Sequence, residues 1–201
     1  MAYEKTGTGG FNIRKWILPL VLAVLALMGV SSYNGLVSLD TEANKAWADV
    51  EDAYERKYKL IPNLVATVKG YADFEQETIV AVTEARASAM RVIQNNTPGD
   101  VSGLEQADRQ VGVAMGRFFG YTENYPNLKA NENFLKLQDE LTGSENRISV
   151  ERKRYNESIE SYESKRRSFP TVLMAGFLGF AERDPFKAST EALENDVEVK
   201  F

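Results

Sequence analysis

Histidine and cysteine are both absent from the 201-residue sequence. Without cysteine the chain has no disulfide, no thiolate metal ligand, no lipid-modified cysteine and no thiol nucleophile. Without histidine it lacks the commonest general base and the commonest metal ligand. These absences argue against an enzyme, and they predict no catalytic, cofactor-binding or metal-binding residues.

Positive charge is also scarce, with 24 lysine and arginine residues against 29 acidic ones and a formal net charge of -5. A nucleic-acid-binding protein normally carries a basic face, so nucleic acid is not predicted as a partner. Hydrophobic residues make up 43% of the chain, which is enough to bury a core. The length leaves room for one domain and an anchor.

Charge is missing altogether from Trp16 to Leu39, a run of 24 residues. As a helix this run is about 36 Å long, and a hydrocarbon core is about 30 Å thick, so residues 16–39 are predicted to be a single transmembrane anchor. Residues 1–15 are polar and glycine-rich and are predicted to be disordered. The anchor side chains expected to meet lipid or its interface are Trp16, Leu20, Leu22, Leu25, Leu27, Val30 and Tyr33.

Two properties of the anchor depend on its flanks. A cleaved signal peptide is the alternative to an anchor, but Met28-Gly-Val30 offers no A-x-A cleavage pattern. Arg14 and Lys15 precede the run, whereas acidic residues dominate after it. The positive-inside rule therefore predicts a cytoplasmic N-terminus and a bundle on the outer side of the membrane.

The rest of the chain has helical periodicity and no convincing strand pattern. A seven-residue apolar repeat begins at Leu36, and Lys57 is assigned with its acidic neighbours to the solvated face. Pro62 is predicted to break or kink this first helix, with Asn63 as a cap, although residues 59–65 are a weaker candidate binding site. The apolar positions of the repeat are Leu36, Ala43, Trp47, Val50, Tyr54 and Ile61.

Three more helices follow. One ends before the loop at residues 95–100, a shorter one runs to about Tyr121, and the last repeats Phe134, Leu141, Ile148, Tyr155 and Tyr162 every seven residues. The predicted fold is all-α: a transmembrane helix continuing into an antiparallel up-and-down bundle of about four long helices over residues 36–187. Arg86, Glu145 and Arg152 lie beside apolar rows, where they either pair between helices or remain solvated at the edge.

A second apolar stretch, residues 169–180, is too short to span a bilayer. It either folds back to cap the open end of the bundle or forms an exposed patch that meets the membrane surface or another subunit. Residues 188–201 are predicted to be a mobile acidic tail. The interaction candidates in the stretch are Phe169, Leu173, Met174, Phe177, Leu178 and Phe180.

Several segments in their order along residues 33–187 resemble the LemA family of bacterial membrane proteins. The resemblance is carried by the segments at residues 33–37, 46–47, 56–72, 84–86, 125–134, 145–148, 169–170, 175–176 and 179–180. It implies an N-terminal transmembrane helix, a helical bundle and residence in the bacterial cytoplasmic membrane, but no activity and no catalytic residues. Family members are often assigned an inner bundle, the reverse of the orientation that the charge count predicts.

The sequence therefore predicts a non-enzymatic, membrane-anchored scaffold that self-associates at the bilayer surface as a homo-oligomer. The expected contacts are membrane lipid and further copies of the chain. The alternative is an envelope signalling or quality-control adaptor that binds a second membrane protein, such as a protease.

Overall fold

A computed structural model describes residues 13–70, 75–95 and 97–187, with side chains from residue 16 onward. It consists of helices α1 (Ile13–Val68), α2 (Gln76–Asn95), α3 (Val101–Thr122), α4 (Pro126–Lys129), α5 (Glu132–Arg167) and α6 (Val172–Ala175). The described part contains no strand, and four of its helices are long, which confirms the predicted all-α class. The expected mobile tail and most of the expected disordered N-terminus lie outside the described residues.

The ends of α3 and α5 are fixed by side chains that the sequence places at the caps. Asp100 accepts a hydrogen bond from the Gly103 N–H at 3.0 Å. Asn131 accepts two, from Asn133 N–H and Phe134 N–H. Each cap satisfies backbone donors that the first turn leaves unpaired.

Pro62 was predicted to break or kink α1, and the predicted break is wrong, because the helix continues to Val68. Proline has no N–H, so the Tyr58 carbonyl one turn earlier loses its usual partner. The Arg86 Nε–H of α2 donates to this carbonyl at 2.8 Å. A side chain from the neighbouring helix therefore supplies the hydrogen bond that proline removes, and α1 remains helical. Asn63, which was predicted to be a cap, lies inside the helix.

The long helices pack as an antiparallel bundle. Along α1, Gly35 meets Lys165, Trp47 meets Tyr155 and Lys57 meets Glu145, so the partner in α5 moves backward as α1 advances. The six apolar positions predicted from the α1 repeat are all buried. Their burial confirms that the repeat marks the core face of the helix.

The bundle has two levels along α1. The distal tier comprises α2, α3, residues 47–68 of α1 and residues 132–155 of α5, whose buried side chains form one core. Helix α2 packs on α1 and on α3, and α3 contacts α5 through Phe119 with Phe134 and Glu105 with Arg152. The α2–α3 connection marks its lower limit, because the Cβ position of Gly99 lies 3.4 Å from the Tyr155 hydroxyl. In the proximal tier, residues 32–46 of α1 and 156–167 of α5 are covered by the segment at 169–187.

The end of that segment, residues 181–187, runs back along the bundle as a strap. The Phe186 ring stacks on Trp47 with ring centroids 5.8 Å apart. The side chain of Asn156 forms two hydrogen bonds of 2.9 Å with the Phe186 backbone. Tyr162 donates its hydroxyl proton to the Ala181 carbonyl at 2.7 Å. The strap therefore closes the core where α2 and α3 no longer reach.

Candidate functional site

The first part of α1 extends below the proximal tier as an apolar arm. Every described side chain from Trp16 to Met28 is exposed, and burial against the bundle begins at Ser32. Among the described residues, α1 is the one helix that is long and apolar enough to cross a membrane. The seven anchor positions expected to meet lipid, listed above from Trp16 to Tyr33, are all exposed. Because its side chains from Trp16 to Met28 are exposed, the arm is available for contact with lipid.

The segment at 169–180 has two faces. Ala175 on α6 is buried against Leu36 and Tyr162, and half-buried Phe180 packs against the same cluster. Phe180 also meets Tyr33, with ring centroids 5.9 Å apart. One face of the segment therefore covers the lower end of the core, as the first of the two sequence alternatives expected.

The other face of the segment is open. Phe177 is 94% exposed, Phe169 76% and Leu173 73%, and Leu178 is exposed to a smaller extent. Met174 is half-buried and lies toward the arm, with its Cε 4.0 Å from the Cβ position of Gly29. We call Phe169, Leu173 and Phe177 the apolar platform. It lies beside the part of α1 that belongs to the predicted anchor.

A charged rim borders the platform on the bundle side. The Lys165 Cε lies 3.4 Å from the Cβ position of Gly35. Arg183 donates to Asp40 at 2.7 Å and to Asn44 at 2.8 Å. A further group pairs within the rim: Arg166 and Arg167 with Glu163 and Glu182. The step from charged to apolar side chains therefore falls at one level on α1 and on the C-terminal segment.

The distal tier holds a buried ionic cluster. Lys57, which was assigned to the solvated face, is only 3% exposed. Its ammonium group lies 2.6 Å from a carboxylate oxygen of Asp108 on α3 and 2.6 Å from one of Glu145 on α5. Arg152 on α5 pairs with Glu105 on α3. Of the two alternatives left open for Glu145 and Arg152, the structure has pairing between helices, whereas Arg86 donates to a backbone carbonyl.

Two tyrosines complete this cluster. Tyr58 donates its hydroxyl proton to Asp108 at 3.2 Å. Burial raises the pKa of the Tyr54 and Tyr58 hydroxyls far above the usual range, and the Asp108 carboxylate raises both further. Both tyrosines therefore stay protonated at neutral pH. The cluster links three helices and leaves its lysine no open face, which suits it to fixing helix register.

The outer face of the α2–α3 pair is a shallow groove of about 870 Å³. Its lining mixes small side chains, such as Ala81 and Ala85, with long polar ones that include Arg91, Arg109 and Arg117, and the exposed Val113 also lines it. Along α3, Gly112, Gly116 and Gly120 follow one another every four residues. A Cβ added at any of the three would meet nothing within 4 Å, so the interior of the bundle does not require them.

Comparison with known proteins places the chain in a family. Residues 46–201 match the sequence model of the LemA family, from the lower part of the bundle onward. The chain belongs to the LemA family. This membership confirms the resemblance drawn from the sequence. Together with the apolar arm it supports a membrane-anchored bacterial protein.

Individual relatives are distant in sequence, and each match covers most of both chains. The chain is 25% identical to the protein LemA of Metamycoplasma hominis over 170 residues, 85% of this chain and 75% of that protein. It is 22% identical to the magnetosome protein MamQ 2 of Paramagnetospirillum magneticum over 191 residues, 83% and 70% of the two chains. MamQ of Magnetospirillum gryphiswaldense is also 22% identical, over 196 residues, 84% and 71%.

Sequence reasoning missed three residues of these sites. Lys57 is the next position of the seven-residue row formed by Leu36, Ala43 and Val50, so the spacing signalled its burial, whereas its partners on two other helices have no local signal. Phe186 lies outside any helical repeat, although it stacks on Trp47. The contact of Arg86 with the Tyr58 carbonyl was recoverable in principle, because a proline inside an apolar repeat leaves a carbonyl that needs a donor.

Proposed function

We propose that this LemA-family protein is a non-enzymatic scaffold, anchored in the membrane and self-associating at its surface. The observation that carries the proposal is the continuity of α1, which runs from the exposed arm into the buried core without a linker. Such a helix holds the bundle at a fixed attitude to the bilayer. Confinement to a surface with fixed orientation raises the effective concentration of neighbouring copies.

The proposed lateral contact is the α2–α3 face. Glycine inside a helix costs about 1 kcal/mol relative to alanine, so three glycines on the exposed side of α3 weaken the isolated bundle. A second helix could approach the α3 backbone closely at these positions, which offsets that cost in an assembly. The exposed Val113 adds apolar area for such a contact, and the adjoining groove adds polar side chains such as Arg109 and Arg117.

Substitution of the glycines tests this contact. Gly112→Ala, Gly116→Ala and Gly120→Ala together should stabilise the monomer and lower the oligomer fraction, measured by in-membrane cross-linking and light scattering in detergent. Gly143→Ala on α5 is the matched control, since its Cβ position is equally open. It should stabilise the fold and leave association unchanged. A strict monomer across micromolar concentrations would overturn the self-association proposal, and stoichiometric capture of a different membrane protein would favour the adaptor.

For orientation we propose a cytoplasmic N-terminus and an outer bundle, in the bacterial cytoplasmic membrane. Arg14 and Lys15 flank the arm on one side, and Lys45 is the first basic residue on the other. The basic residues of the rim are more than a hundred positions further along the chain, outside the reach of the positive-inside rule.

A single cysteine can test this orientation, because the chain has none of its own. Val150→Cys places a thiol on the exposed surface of α5. A membrane-impermeant maleimide should label it in intact spheroplasts. Labelling only after lysis would establish the reverse orientation.

A further inference from the structure

We propose that the apolar platform of Phe169, Leu173 and Phe177 enters the bilayer beside the anchor, as a second, non-spanning membrane contact. The inference rests on the proposed anchoring by residues 16–39. It extends that proposal from one membrane-contacting segment to two and names lipid as the occupant of the platform.

Part of the platform lies at the depth of the proposed anchor. If Trp16 lies at one interface, Gly29 is about 20 Å along the helix axis and still within a hydrocarbon core of about 30 Å. The Met174 Cε lies 4.0 Å from the Cβ position of Gly29. Leu173 is the neighbour of Met174 in α6 and Phe177 follows one turn later. The fold therefore holds Leu173 and Phe177 near a level of α1 that the anchor assignment places inside the membrane.

The uncharged runs of α1 and of the C-terminal segment end at the same place in the structure. On α1 the uncharged run ends at Asp40, and on the C-terminal segment it ends at Glu182 and Arg183. Arg183 binds Asp40 at 2.7 Å, so these distant boundaries meet in space. The Lys165 Cε and Nζ lie 3.4 and 3.9 Å from the Cβ position of Gly35, near the end of the predicted anchor, where lysine side chains place their ammonium groups at the headgroups. A water–membrane boundary at this level would leave charged groups above it and apolar groups below it.

The side chains of the platform are largely exposed. Phe177 is 94% exposed and Leu173 73%, next to side chains of the same segment that are buried in the core. Interfacial segments immerse their apolar face about 5–10 Å into the boundary between headgroups and acyl chains. A short apolar segment bordered by arginines has this character. Met174, next to Leu173, contacts the exposed arm at Gly29, and this closeness to the proposed anchor favours lipid over a second copy as the occupant.

Fluorescence quenching in the full-length protein tests the contact. Phe177→Cys and Leu173→Cys, each labelled with an environment-sensitive probe and reconstituted in phosphatidylethanolamine–phosphatidylglycerol vesicles, should be quenched by lipid-borne nitroxides and protected from iodide. Val150→Cys on the distal part of α5 is the matched aqueous control, and it should show the opposite pattern. Because all three residues are exposed, none of the substitutions removes a core contact.

Leu25→Cys on the arm separates the two proposals. If the Leu25 probe is quenched from the lipid and the Phe177 probe is as accessible to iodide as the Val150 probe, the anchor stands and the platform proposal is overturned. A second copy is the occupant if a probe at position 177 is shielded from both quenchers and a pyrene label there shows excimer emission, which requires a second label close by. That result would overturn the lipid proposal. If the Leu25 probe is also accessible to iodide, both proposals fail.

Discussion

The two tiers of the bundle are closed by different means. The distal tier is surrounded by four helices, and its charged side chains meet partners across the core, as Lys57 does with Asp108 and Glu145. The proximal tier has only two long helices and is covered by the short helix α6 and by the strap, whose Phe186 packs on Trp47. Its remaining apolar side chains point outward beside the arm. A core enclosed by its own helices is suited to the solvated end of the bundle. A covering segment that keeps apolar side chains exposed is suited to an end that contacts another apolar medium.

The largest expected effect comes from the ionic cluster of the distal tier. Lys57→Met leaves Asp108 and Glu145 without their shared cation, and breaking a buried pair on one side should lower the free energy of unfolding by about 4 kcal/mol. Urea unfolding followed by the fluorescence of buried Trp47 measures it. Lys59→Met is the control, since Lys59 is exposed and pairs only with Glu55 one turn away, for an expected cost below about 0.5 kcal/mol. Equal losses in the two variants would show that the cluster is not a buried one.

The strap should give the next largest effect, confined to the proximal tier. Phe186→Ala removes the ring on Trp47 and should lower local stability by about 3 kcal/mol, the range for deleting a buried aromatic side chain. Hydrogen exchange should accelerate in residues 156–187 while the amides of α2 and α3 stay protected. Phe177→Ala, at an exposed position, should leave both tiers unchanged. Faster exchange throughout the bundle would mean that the tiers unfold as one unit.

The contact between Arg86 and the Tyr58 carbonyl should have an intermediate effect, and a double-mutant cycle isolates it. Arg86→Leu leaves that carbonyl unpaired and should cost about 2 kcal/mol. In a Pro62→Ala background the new N–H can donate to the same carbonyl, so Arg86→Leu should cost about 1 kcal/mol less. Urea titration of the four proteins gives the coupling. Additive losses would show that Arg86 does not substitute for the hydrogen bond that Pro62 lacks.

The smallest expected effect concerns the start of α5 at the distal end. Asn131→Ala removes the acceptor for two backbone N–H groups and should cost about 1 kcal/mol, whereas Asn131→Gly should cost a few tenths. The urea midpoint of each variant measures this difference. Equal losses would indicate that the asparagine side chain does not act as the cap.

Sequence reasoning predicted features that depend on periodicity and missed those that depend on distant partners. The repeat from Leu36 to Ile61 identified the core face of α1, because helical spacing alone decides which side chains face inward. The predicted break at Pro62 was wrong, because the rule that proline breaks helices considers only the local chain and not a donor from α2.

The candidate surfaces divided in the same way. The anchor followed from length and lack of charge, which are local properties. The apolar character of residues 169–180 was also evident, but its two alternatives could not be separated by composition. The structure gives Ala175 to the core and Phe177 to the outside, a division that depends on how α6 is seated against Leu36 and Tyr162.

Because α1 is continuous, a tilt of the arm also displaces the far end of the helix. Its 56 residues form a helix about 84 Å long, and with residues 16–39 as the proposed anchor, the part above Leu39 would reach about 43 Å from the membrane surface. Membrane helices tilt by about 20° on average, and a tilt of that size would move the far end of α1 sideways by about 15 Å. Small changes in bilayer thickness, which alter the tilt of the arm, are thereby converted into large changes in the lateral reach of the bundle.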